Sequence, residues 1–195
     1  MNVHAPKGEK RFTQPSELEM QAEIQVSQMK AKFDDLMSGE VERGLIADTS
    51  EDMKALVQET VSLKQAEVLK EASARLEGEE EKDADQVLAE VLREKIELAQ
   101  DMVLHGMVQG RWDTVLDAAI SADTLSGYSK EQIQTMTNKE NLSDAHAKSL
   151  DFFLARAVIE VKEGSGDMEE RIQASTKKQV GRFLQTIIGD ASHSL

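Results

Sequence analysis

The sequence contains no cysteine, and its only two prolines are Pro6 and Pro15. Without cysteine these residues form neither a disulfide nor a thiolate metal site. Proline interrupts helices because it lacks an N–H donor and clashes with the preceding turn. The 180 residues after Pro15 have no proline and are rich in Glu, Lys, Gln, Ala, Leu and Met, which favour helices. The sequence therefore predicts an all-α fold, a multi-helix bundle.

Aromatic residues and long apolar runs are also scarce. Aromatic residues make up 4% of the chain and hydrophobic residues 39%, so the core must consist of aliphatic side chains and methionine, which suits helix-on-helix packing. No apolar stretch approaches the roughly 20 residues that cross a bilayer. The charged N-terminus is not followed by the apolar run of a signal peptide. We therefore expect a cytoplasmic protein without a membrane span.

The net charge of −14 is distributed unevenly. Residues 1–15 carry +2 and residues 171–195 carry +3, so the segment between them carries the remaining −19. A strongly acidic surface favours solubility and argues against a protein that coats nucleic acid. The sequence is thus an acidic middle between two basic ends.

Capping residues and glycines divide the chain into six or seven helices. We predict a flexible basic arm at 1–15, a first amphipathic helix at 16–38, and a helical body at 50–190 that ends in an antiparallel hairpin at 143–188. The predicted helices after the first span about 50–76, 86–109, 111–122, 129–138, 143–162 and 167–188. The stretch from Val103 to Ala122, two predicted helices joined at a glycine, resembles the helix-turn-helix unit of alpha-solenoid repeats.

The first helix carries a short heptad-like seam. Its apolar residues recur at three- and four-residue intervals and include Val26, Met29 and Phe33. Such a seam packs either on the body of the same chain or on a second copy. The sequence leaves both open, and it predicts a homo-oligomer through residues 16–38 as one outcome.

The sequence offers no recognisable catalytic chemistry. The four histidines lie at positions 4, 105, 146 and 193, without partners at the spacing of a zinc or di-iron site. The glycines form no phosphate-binding loop, and no nucleophile elbow is present. We therefore expect a protein that is not an enzyme and that holds no metal or cofactor.

The last helix gives the sharpest signal. Arg171, Lys178 and Arg182 fall within about 40° of one another at 100° per residue, opposite the apolar face, and Lys177 flanks them. This pattern predicts a basic helix that docks an acidic partner, nucleic acid or a membrane surface. The alternative is a solvated face that pairs with the protein's own acidic surface.

The only tryptophan, Trp112, lies at a predicted helix junction. Tryptophan is over-represented at binding hot spots, so Trp112 could anchor a partner. A lone tryptophan at a junction also fills the local core.

These features favour a protein–protein interaction protein: an adaptor, an assembly scaffold or a chaperone-like regulator. In layout the chain resembles scaffolding proteins of tailed phages, which are acidic, helical and end in a basic hairpin, and helical gatekeeper and chaperone proteins of bacterial secretion systems. An alternative is an acidic DNA mimic that inhibits a nucleic-acid-binding protein, since −19 over the middle segment attracts basic grooves. Direct nucleic-acid binding is disfavoured because no aromatic stacking platform accompanies the basic ends.

Overall fold

The computed structural model describes residues 17–45, 49–76, 83–121 and 128–193. Within these ranges the chain forms seven α-helices and a short 3-10 turn, and no strand, which confirms the all-α prediction. The helices are α1 (Glu17–Gly44), α2 (Glu51–Ser62), α3 (Gln65–Leu76), α4 (Ala84–Ser121), α5 (Lys130–Thr137), α6 (Asp144–Glu163) and α7 (Met168–His193). The predicted arm at 1–15 lies outside the described residues.

The long helix α4 organises the bundle. Every fourth residue from Leu88 to Ile120 is buried, nine residues in all. Four residues turn a helix through 400°, so this row drifts by about 40° at each step and winds most of the way around α4. Its first half therefore packs on α1, α2 and α3, and its second half packs on α5, α6 and α7. Gln100, at the centre of the row, separates the two apolar clusters.

The predicted break at Gly106 and Gly110 is wrong, because α4 continues through both glycines. A glycine inside a helix costs about 1 kcal/mol relative to alanine. Burial of Leu104, Val108 and Trp112 on the same helix outweighs that cost. The resemblance to a solenoid helix-turn-helix unit fails for the same reason, since there is no turn between residues 103 and 121.

The helix predicted over 50–76 is two helices. A tight turn at Leu63 and Lys64 separates α2 from α3, and the Lys64 N–H donates to the Val61 carbonyl at 2.9 Å. The bend allows α3 to contact both α1 and α4. Neither proline nor glycine marks this position, so the sequence carries no local signal for it.

The ends of two helices differ from the predicted ones. The first helix was expected to stop at Gly39, but α1 runs to Gly44, because Val41 is fully buried and Glu40 accepts hydrogen bonds from Arg43 and Arg93. The last helix was expected to end at about residue 188, but α7 runs to His193.

The apolar residues Leu98 and Met102 of α4 are about half exposed. Each lies two residues from a member of the buried row on α4, and two residues correspond to 200° of rotation. Their side chains therefore point to the opposite side of the helix.

Local caps agree with the sequence. Ser50, Ser129 and Ser143 each accept a hydrogen bond from the backbone N–H three residues on, and Ser129 forms the complete capping box with Gln132. Asp167 likewise accepts from the N–H of Glu170 at 3.0 Å. The predicted hairpin turn at 164–166 joins α6 to α7, which form an extensive mutual contact.

Candidate interaction surfaces

Arg171 is a buried side chain that fastens the α6–α7 hairpin. Its Nη1 donates to the carbonyl of Val161 at 3.0 Å and to the carbonyl of Gly164 at 2.8 Å. These carbonyls lie at the C-terminal end of α6, where acceptors lack helical partners and a cation is favoured. The guanidinium thus lies beneath the hairpin turn and is not part of the exposed basic face on which the sequence placed it.

The exposed basic residues of α7 are Lys177, Lys178 and Arg182. Lys178 Nζ donates to Glu160 Oε1 of α6 at 2.8 Å, and Arg156 Nε lies 3.8 Å from the same oxygen. Burial is the largest single influence on Glu160 and would raise its pKa, but the hydrogen bond from Lys178, the nearby Gln179 amide and the charges of Lys178 and Arg182 together outweigh burial and hold that pKa below its ordinary value. One carboxylate therefore neutralises only part of the positive charge around it.

The register of the hairpin brings further side chains to this face. Phe153 of α6 lies 6.4 Å from Phe183 of α7 between ring centroids, and Lys178 pairs with Glu160. In an antiparallel pair with this register, Arg156 and Arg182 lie at the same level. Two cations side by side attract an anion more strongly than either alone.

Two large apolar side chains are exposed on the outer face of α6. Phe152 is 63% exposed and Ile159 is 41% exposed. They are seven residues apart and so lie on one side of the helix. Phe152 is held edge-to-face against Phe153, with ring centroids 5.3 Å apart, so its exposed ring is supported from the core. We call Phe152, Arg156, Ile159, Lys178 and Arg182 together the hairpin surface.

Lys177 lies at the edge of the hairpin surface, because it is 100° around α7 from Lys178. Sequence reasoning identified the α7 cations but missed Phe152, Arg156 and Ile159. Their seven-residue spacing, opposite the apolar face of the same helix, was the signal that could have identified the two apolar residues.

Trp112 is fully buried and fills the core. Its ring meets Phe183 edge-to-face at 5.8 Å between centroids. No indole surface is exposed to a partner in this fold. Trp112, Phe183, Phe153 and Phe152 form a continuous row of aromatic contacts from the core to the hairpin surface.

The seam of α1 is divided between core and surface. Met29 and Phe33 are fully buried in the first apolar cluster, whereas Val26 is only partly buried. The C-terminal part of the seam is therefore covered by the chain's own helices. Toward the N-terminus of α1, Met20 is 44% exposed and Ile24 is 57% exposed.

A groove lies beside this exposed part of α1. Its volume is about 700 Å³, and it is bounded by α1 and α3. Val26 and Leu69 are among its apolar lining residues, and Lys30 and Lys70 line it as well. Both lysines are exposed, and neither forms an ion pair with any residue that the structure describes.

Neither a metal site nor a transmembrane helix is found in the described ranges. No group of three or more His, Asp or Glu side chains there is arranged to hold a metal ion. None of the helices described has both the length and the apolar character needed to cross a bilayer.

Comparison with known proteins gives no relative: no protein-family model matches the chain, and neither a curated protein nor a solved structure is significantly similar to it.

Proposed function

We propose that this chain is a non-enzymatic protein–protein interaction protein, an adaptor, assembly scaffold or chaperone-like regulator, whose partner docks on the hairpin surface. The observation that carries the proposal is the exposed Phe152, one turn of α6 from the exposed Arg156, which the hairpin register places level with Arg182 of α7. Exposed apolar side chains within a polar rim are typical of binding sites, and phenylalanine and arginine are enriched at interfaces.

The charge of this surface indicates the chemistry of the partner. The chain as a whole carries −14, yet the three cations of the hairpin surface outnumber the two carboxylates beside them, Glu160 and Glu163. A locally positive face on an acidic protein favours an acidic partner. The partner is therefore a protein segment with acidic residues around an apolar centre.

Pairing of two copies, predicted through residues 16–38, is confined by burial to the beginning of α1. Met29 and Phe33 are already buried in the chain's own core. Of the apolar side chains described at the start of α1, Met20, Ile24 and Val26 remain for a second copy.

The DNA-mimic alternative has less support. Many carboxylates are paired with bases on their own or a neighbouring helix; Glu71, for example, lies 2.7 Å from Lys95 of α4 and 2.6 Å from Arg75 of its own helix α3. A mimic needs uncompensated charges at phosphate-like spacing. Duplex DNA that displaces the captured partner would favour the mimic over the hairpin-surface proposal.

Affinity capture from the native host with matched variants tests the proposal. We expect one protein to be captured by the wild type and to be lost with Phe152→Ser and with the double variant Arg156→Glu/Arg182→Glu. Titration of the purified partner should show at least about a tenfold weaker affinity for Phe152→Ser, the size typical of a hot-spot residue.

Two control variants make similar substitutions, apolar to serine and basic to glutamate, away from the hairpin surface. Leu63→Ser alters an exposed apolar side chain on the α2–α3 turn, and Lys130→Glu reverses an exposed charge on α5. Both should bind like the wild type. Equal capture by all variants, or no capture by the wild type, would reject the hairpin surface as the binding site.

A further inference from the structure

Independently of the hairpin surface, we propose that two copies of this chain form a symmetric dimer in which the N-terminal turns of α1 from each copy occupy the α1–α3 groove of the other. The occupant of the groove is thus a second copy of the same segment. Three observations support it: an exposed apolar helix segment, an adjacent open groove, and complementary charges on the two.

The N-terminal part of α1 extends beyond the chain's own core. Among the side chains of α1 that the structure describes, the first fully buried one is Met29, and residues 17–28 span about 18 Å at 1.5 Å per residue. Met20 and Ile24 lie four residues apart and therefore on one side of the helix. An isolated amphipathic segment of this length is marginal in water, and a partner surface would stabilise it.

The groove matches this segment in chemistry. Its apolar lining includes Val26 and Leu69, which suits the exposed Met20 and Ile24 of another copy. Lys30 and Lys70 line it without ion pairs among the described residues. Glu23, on the extending segment, is exposed and likewise forms no described ion pair.

A two-fold axis brings these groups together. If two α1 helices cross antiparallel with the axis between residues 26 and 27, Glu23 of each copy lies opposite Lys30 of the other. Lys70 borders the same site from α3. Because segment and groove adjoin on each chain, one such axis fills both grooves, as a closed isologous dimer requires.

Sedimentation equilibrium tests the proposal by measuring the average mass of the full-length protein over a series of concentrations. We expect a monomer–dimer equilibrium in the wild type. Glu23→Lys and Lys30→Glu should each weaken dimerisation about tenfold or more, because each reverses a charge in two symmetry-related pairs. The double variant Glu23→Lys/Lys30→Glu should restore dimerisation, since it rebuilds both pairs with the signs exchanged.

A single-cysteine variant reports the position of the axis. The chain has no cysteine, so Val26→Cys should form an intermolecular disulfide under mild oxidation, which needs Cβ atoms about 4 Å apart. Gln134→Cys, exposed on α5, is the matched control and should not cross-link. Circular dichroism melts should show that all variants fold like the wild type.

Three results would each overturn the proposal. The wild type could remain monomeric at every concentration tested. Ile24→Glu could leave the dimer intact, or the charge-exchange double variant could fail to restore it. None of these outcomes bears on capture through the hairpin surface, so the two proposals fail separately.

Discussion

Replacing Arg171 by methionine should destabilise the whole chain, because this side chain fastens the α6–α7 hairpin. Its Nη1 donates to two carbonyls, at 3.0 Å and 2.8 Å. A hydrogen bond from a charged donor contributes about 1.5–3 kcal/mol, and a cation at a helix C-terminus adds about 0.3–1 kcal/mol. Since one nitrogen serves both carbonyls, we expect the free energy of unfolding to fall by about 3 kcal/mol.

Urea unfolding followed by circular dichroism measures this change in the free energy of unfolding. In a thermal melt of a chain of this size, a loss of about 3 kcal/mol should lower Tm by about 6–12 °C. Arg171→Lys keeps the charge but has a single ammonium in place of the planar fork, so its loss should be intermediate. The matched control is Lys177→Met, which removes an exposed cation from the same helix and should stay within about 0.5 kcal/mol of the wild type.

The opposite outcome would refute this reasoning. If Arg171→Met unfolds like the wild type but no longer captures the partner, Arg171 acts at the surface, as the sequence pattern first indicated. If it loses stability and keeps the partner at temperatures where it is folded, the structural role holds.

Three further changes probe the same fold. Gly166 has a φ of 93°, so Gly166→Ala should cost about 1 kcal/mol in the free energy of unfolding, measured in urea; an unchanged midpoint would contradict the left-handed turn. Phe33→Ala should cost about 3–5 kcal/mol because the ring is fully buried. Ile24→Ala, measured at a concentration where the chain is monomeric, should change stability by less than about 0.5 kcal/mol; similar losses from both would mean that the start of α1 packs on the body. Hydrogen bonds from Lys95 and Arg75 hold the pKa of Glu71 below the ordinary 4.5. The stabilisation from ionised Glu71 is therefore present above that value and disappears as the pH falls through the folded-state pKa. Glu71→Gln should flatten the acid side of a stability–pH profile, and an unchanged profile would show that these ion pairs contribute nothing to stability.

Most of the local structure could be read directly from the sequence. The proline-free stretch, the serine and aspartate caps and the glycines at 164 and 166 placed the α6–α7 hairpin and α5 within a few residues. These features act over one helical turn, so their effect does not depend on distant parts of the chain. The same holds for the first helix, whose period identified Met29 and Phe33 as apolar-face residues before their partners were known.

The candidate site was only half predictable. The helical wheel placed Arg171 and Arg182 on one face, but a long arginine can reach around the helix, and only the position of the α6 terminus decides that Arg171 turns inward. The sequence did not identify Phe152 as a binding residue for a related reason. An exposed apolar residue indicates a binding surface only when a neighbouring helix places cations near it, and that depends on the tertiary structure.

What the sequence determined by itself is the helical class, the caps, the hairpin and the sign of the charge in each segment, because each depends on residues within a turn or two of one another. The tertiary structure decided whether α4 breaks, where the second predicted helix bends, and which side chains stay exposed. Gly106 and Gly110 weaken α4 by about 1 kcal/mol each, and only the burial of distant residues against that helix shows that the cost is outweighed. Tertiary burial depends on contacts between residues far apart in the chain, and a local pattern does not contain them.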